Sequence, residues 1–98
     1  MLIKIHKAYR DIVSLVDEEL LGKEFEEGIK KIKIDFNFFD GESKKEKEII
    51  KILKEMEEED ASFNIVGKRA IKTALKAEII SKEGIIKIQN IPIALALL

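Results

Sequence analysis

Apolar residues in this chain repeat at two different periods, and the change from one to the other is the strongest constraint on its fold. Ile3 and Ile5 alternate with Lys4 and His6 near the amino end, while Ile85-Ile86-Lys87-Ile88 and Ile91 to Leu98 form short apolar runs near the other. Between them Ile49, Ile52, Leu53 and Met56 fall at three- and four-residue spacing. Alternation sends side chains to opposite faces of a strand, whereas the wider spacing lines one side of a helix. A chain carrying both patterns must pack helices onto a sheet. The expected class is α/β (α+β): a single-layer mixed or antiparallel sheet of about five strands. Two main helices pack on one face, and a short helix follows the second strand.

Local signals fill in that outline. Ile12 to Val16 is nearly continuous in apolar residues, as a strand buried on both faces would be, and it pairs with the first strand as an opening hairpin. Asp17 is placed to cap a short helix, with Glu18 and Glu19 at the positive end of its dipole and Gly22 to end it. Ile32, Ile34, Phe36 and Phe38 alternate with Lys31, Lys33, Asp35 and Asn37, which predicts a strand with one wet face. After the turn Asp40-Gly41-Glu42, Ser43 and Glu46 have the spacing of a capping box for the helix of Ile49 and Leu53. Asn64 reads as the cap of a second helix reaching about Ala77, with Ala70, Ala74 and Ala77 as its small face. A turn at Gln89-Asn90 closes a final hairpin. Pro92 has no amide to give a ladder, so the last strand should be an edge or bend there.

Composition sets the limits. Ninety-eight residues, 46% apolar and 38% charged, fit one domain over 1–98 with a solvated surface; disorder needs lower hydrophobicity. The net charge of −1 lacks the positive excess of a dedicated nucleic-acid binder. Without cysteine there are no disulfides, thiol nucleophiles or thiolate zinc ligands, and one histidine makes no zinc set. No cofactor and no metal are expected; no spacing of carboxylates singles out a magnesium site. Early charges argue against a signal peptide, and no apolar run approaches the ~20 residues of a membrane span, so the expected residence is the cytoplasm. The lysine, isoleucine and glutamate bias is one that proteins from hot environments show, although AT-rich genomes enrich lysine and isoleucine too.

Three places could carry function. If a helix begins at Asn64, its free amides stand beside Gly67, Lys68 and Arg69, a setting for a phosphate or carboxylate. The plain alternative is a capped helix whose glycine packs on the sheet; the spacing is not that of a P-loop. His6 and Asp17 form a second candidate cluster if the fold brings them together, against the plain reading of a surface histidine and a helix cap. The run Ile91 to Leu98 either tucks into the sheet or offers an apolar edge to a second copy.

Several of these segments together resemble an archaeal family of uncharacterised small proteins, domain of unknown function 424. The likeness covers nearly the whole chain. It rests on His6-Lys7, on Asp17-Glu18-Glu19-Leu20-Leu21-Gly22-Lys23, on Phe38-Phe39-Asp40-Gly41-Glu42, on Asn64-Ile65-Val66-Gly67 with Ala70 and Ala74, and on Ile91-Pro92-Ile93-Ala94. Two positions depart from the family pattern: Ile93 stands where a histidine is usual, and Phe39 where a tyrosine is. The resemblance implies kinship without an activity, and an accessory role in archaeal information processing, around translation. The expected function is a non-catalytic binding or adaptor domain, with an RNA phosphate or a protein or ribonucleoprotein partner at Asn64, Gly67, Lys68 and Arg69. The alternatives are a small enzyme or enzyme subunit using carboxylates and His6, and a homodimeric structural protein.

Overall fold

In the computed structural model, which describes residues 1–97, the chain forms eight strands and three helices. The strands are β1 (Leu2–His6), β2 (Ile12–Val16), β3 (Glu24–Glu27), β4 (Lys30–Lys33), β5 (Glu42–Ser43), β6 (Ser62–Val66), β7 (Ile85–Ile88) and β8 (Ile91–Ala96). The helices are α1 (Phe36–Phe39), α2 (Glu46–Glu58) and α3 (Lys68–Lys76). Six strands make one sheet in the order β5-β1-β2-β6-β8-β7, and β3 with β4 makes a separate hairpin. Only β2 and β6 run parallel among the described pairs.

Each face of the sheet meets its own core. On one face Ile3, Val13, Leu15, Phe63 and Ile65 pack against Ile49 and Leu53 of α2 and Ala70 and Ala74 of α3. The alanines let α3 lie close on the sheet, as its small-residue stripe predicts. Burying a side chain the size of Phe63 or Leu15 contributes roughly 1.5–3 kcal/mol. On the other face Leu2, Val16 and Val66 meet Leu20, Ile34 and Phe39. The opening hairpin, α2 with its apolar stripe, the two helices on one face and the closing hairpin are all as the sequence predicts.

Four local expectations are corrected. The predicted strand through Phe38 stops at Lys33, because the Asp35 carboxylate accepts a hydrogen bond from the Phe38 amide at 2.8 Å and turns the chain into α1. Phe39 is then buried while Phe36 stays exposed. Ser43 caps no helix; it lies in β5 and its hydroxyl donates to Glu18 at 3.0 Å. Asn64 is not a cap either, since it sits inside β6 and the helix begins at Lys68. Finally, β8 is an interior strand. Pro92 fits there because its carbonyl, on the β6 side, accepts from the Gly67 amide at 3.0 Å just where that pairing ends. The outer edge is β7, which covers β8 from Ile91 to Ala94; Leu98 lies outside the described residues.

Candidate functional site

The start of α3 is closed by the chain itself. Asp17 follows β2, and its main-chain amide extends the parallel ladder to the Val66 carbonyl at 3.2 Å. Its side chain therefore points across the end of β6, where one carboxylate oxygen accepts from the Arg69 amide at 3.0 Å and the other from the Ala70 amide at 2.8 Å. Asp17 is 3% exposed. Gly67 is what admits it: its φ is 111°, and a Cβ there would lie 2.5 Å from the Asp17 carboxyl carbon. Two of the amides that the sequence offers to an outside anion are thus occupied by an internal carboxylate, which is the usual service of a helix cap performed from a distant residue. The Arg69 guanidinium in turn pairs with Glu19.

His6 lies elsewhere. It pairs in register with Ile12 at the start of β2, whereas Asp17 follows the end of that strand, so the two are separated by five strand residues or about 16 Å. They form no common site, and the proposed His6–Asp17 cluster is corrected on that ground. His6 instead stacks on Phe38 at 4.6 Å between ring centres. Its Nε2 donates to the Phe38 carbonyl at 2.9 Å, which also accepts from the Ser14 hydroxyl at 2.8 Å. With Lys4 donating to the Asn37 carbonyl at 2.7 Å, three side chains of the sheet hold the end of α1. Among the described residues no set of three His, Asp or Glu side chains converges to hold a metal ion.

An open feature lies on another side of the same helix. Between α3 and the β7–β8 hairpin runs a groove of about 350 Å³, lined by Lys68, Ile71, Lys72, Leu75, Lys87 and Pro92. Four-residue spacing puts Lys68 beside Lys72 and Ile71 beside Leu75 on α3. The pairing of Lys87 with Pro92 brings the third lysine to the opposite bank. The hairpin turn that fixes this bank is Gln89-Asn90, both in left-handed conformation with φ of 50° and 65°.

The charges of this region do not cancel. Arg69 has Glu19, and Lys76 reaches Glu46 of α2 at 2.6 Å. That contact, with Lys72 acting through space, holds the Glu46 carboxyl below its ordinary range. The side chains of Lys68, Lys72 and Lys87 have no hydrogen bond or ion pair among the described residues. The first turn of α3 contains no acidic residue, so Lys68 stands at the positive end of the helix. Like charges four apart, and a cation at that end, each cost a few tenths of a kcal/mol.

Of the residues the sequence singles out at α3, one lines this groove. Lys68 belongs to the groove; Asn64, Gly67 and Arg69 do not line it. Lys72 was legible, since it repeats Lys68 at helical spacing beside Ile71 and Leu75. Lys87 was not, because its place depends on the closing hairpin folding back against α3.

A family model described as a protein of unknown function, DUF424, matches residues 6–97. Among solved structures, the chain is similar to an uncharacterised conserved protein from Methanopyrus kandleri. The identity is 23% and the TM-score 0.84, over 96% of this chain and 87% of that one. No curated protein matches.

Proposed function

We propose, for a chain that belongs to the DUF424 family of proteins of unknown function, a non-catalytic role. It is a binding or adaptor domain that receives an anionic partner in the groove between α3 and the β7–β8 hairpin. The observation that carries this reading is the contrast in charge compensation around α3. Asp17, Glu19 and Glu46 neutralise its cap, Arg69 and Lys76, while Lys68, Lys72 and Lys87 line one groove from two elements and form no ion pair among the described residues. In a molecule of net charge −1, three cations without an ion pair on one groove form a local attractor for an anion. An archaeal setting, in information processing around translation, is part of the proposal; the similar fold from Methanopyrus kandleri speaks for the archaeal half of it.

The test compares the protein with a variant carrying Lys68→Glu, Lys72→Glu and Lys87→Glu. Both are immobilised and exposed to an extract of the source cells, with and without nuclease, and retained molecules are identified by mass spectrometry. A partner held by the unaltered protein and lost from the variant, at unchanged melting temperature, is the expected result. Equal retention by both would remove the groove as the binding surface.

A further inference from the structure

Resting on that reading, we infer that the partner is an acidic segment of another protein that adds to the sheet as a strand along the outer edge of β7. The register shows which main-chain groups that edge leaves open. The Pro92 carbonyl points to β6, so it is Ile91 and Ile93 of β8 that bond with Ile88 and Ile86 of β7. Ile85, Lys87 and Gln89 therefore turn their main-chain groups outward. The Gln89 amide donates to Glu27 at 2.7 Å, and the Ile85 amide donates to the Lys82 carbonyl. Between those two contacts, the Ile85 carbonyl and both main-chain groups of Lys87 have no partner among the described residues. An extended peptide satisfies an unpaired edge of this kind, and a segment of about four residues fills this one.

The two faces of β7 decide the side chains of that segment. Ile86, paired with Ile93, is 50% exposed on the face away from α3. Lys87, paired with Pro92, lies on the α3 face, where Lys68 and Lys72 line the same groove. Ile71 and Pro92 are buried, so on that side the ligand meets charge and little apolar surface. Successive residues of an added strand alternate between the faces. The fitting pattern is therefore aliphatic beside Ile86 and acidic beside Lys87. A lysine on an edge strand ordinarily discourages pairing. An acidic strand turns that guard into a selector, and the lysines of α3 speed its arrival. A nucleic acid would meet the lysines and leave the strand edge and Ile86 unanswered.

The test measures fluorescence anisotropy with labelled probes of equal charge. They are a peptide alternating glutamate with valine, the same residues rearranged in blocks, and a single-stranded RNA. The alternating peptide should bind about tenfold tighter than either control. Equal binding of the two peptides would overturn the strand pattern. Two further peptides carry N-methyl groups on the glutamate amides or on the valine amides. Alternate amides of a strand point to opposite sides, so one set should abolish binding and the other spare it; the same outcome with both would overturn the edge pairing. Lys87→Glu and Ile86→Asn should each weaken the alternating peptide about tenfold, the second without effect on RNA, and retention by both variants would count against β7. Tighter binding of RNA, abolished by the Lys68→Glu, Lys72→Glu and Lys87→Glu variant, would overturn the protein-segment inference and leave the groove standing as a binding site. Indifference of every probe to the lysine substitutions would bring down the groove itself, and the inference with it.

Discussion

Two sides of α3 resolve the same electrostatic problem in opposite ways. At the cap, the positive end of the helix is met by Asp17, buried and bonded through both oxygens, with Gly67 shaped to admit it. In the groove, Lys68 and Lys72 stand on α3 opposite Lys87 of β7, and none of the three forms an ion pair among the described residues. A buried carboxylate that keeps both oxygens bonded contributes to folding; exposed cations without partners contribute to folding nothing that can be seen. The difference separates what the fold needs from what a partner could use.

The sharpest way to break the contrast is to fill the space that Gly67 leaves. Gly67→Ala places a methyl group on the Asp17 carboxyl and in a backbone conformation unfavourable to alanine, so stability should fall by roughly 2–4 kcal/mol in urea unfolding. A loss under about half a kcal/mol would show that Asp17 is not held as described. Next comes the carboxylate: Asp17→Ala should cost about 2–3 kcal/mol, and Asp17→Asn less, because one side-chain oxygen still accepts from an amide. Equal losses would mean the charge, more than the two bonds, holds the cap. Arg69→Ala tests the outer ring of the same region. Its side chain is 61% exposed, so the pair with Glu19 should be worth less than about 1 kcal/mol.

In the groove, by contrast, the triple lysine reversal should shift stability by no more than about half a kcal/mol, because the like charges four apart only change sign while an acid replaces Lys68 at the positive end of α3. A large destabilisation there would make the lysines structural and end the comparison. The smallest effect concerns acid. The carboxyls of Glu24 and Glu46 are held below their ordinary range, first by hydrogen bonds to Lys31 and Lys76 and then by their charges. Because the folded state favours the ionised form, that contribution is present above pH 4.5 and fades as pH falls through the lowered values. Lys76→Met should therefore lower the melting temperature slightly at neutral pH, with the difference from the unaltered protein vanishing in acid, so that the acid limb of the profile is flatter.

How far the chain can be read without coordinates differs between these regions for a physical reason. Local periodicity exposed β1, β2, α2 and the closing hairpin, where contacts lie between neighbours in sequence. The alternation through Phe36 and Phe38 misled, because a single acceptor on Asp35 outweighs strand propensity over four residues. The strand β6 was missed because Ser62 to Val66 is short and buried on both faces, a pattern that a helix start beginning at Asn64 mimics. Asp17 was correctly read as a cap but assigned to the wrong helix. Its own downstream turn, Glu18–Leu20, takes no hydrogen bond from its side chain, and the true recipient is reached only through the parallel pairing of β2 with β6. The groove suffered likewise: two of its lysines share a helix, and the third arrives from β7.

That long reach of Asp17 also sets a clock. Its amide partners lie 52 and 53 residues further along the chain. At about 5–20 residues per second of synthesis, the carboxylate exists for roughly three to ten seconds before its partners do. Throughout that interval β2 has β1 on one side and an uncovered edge on the other, an invitation to stray strands. A charged side chain at the end of such a strand discourages their approach.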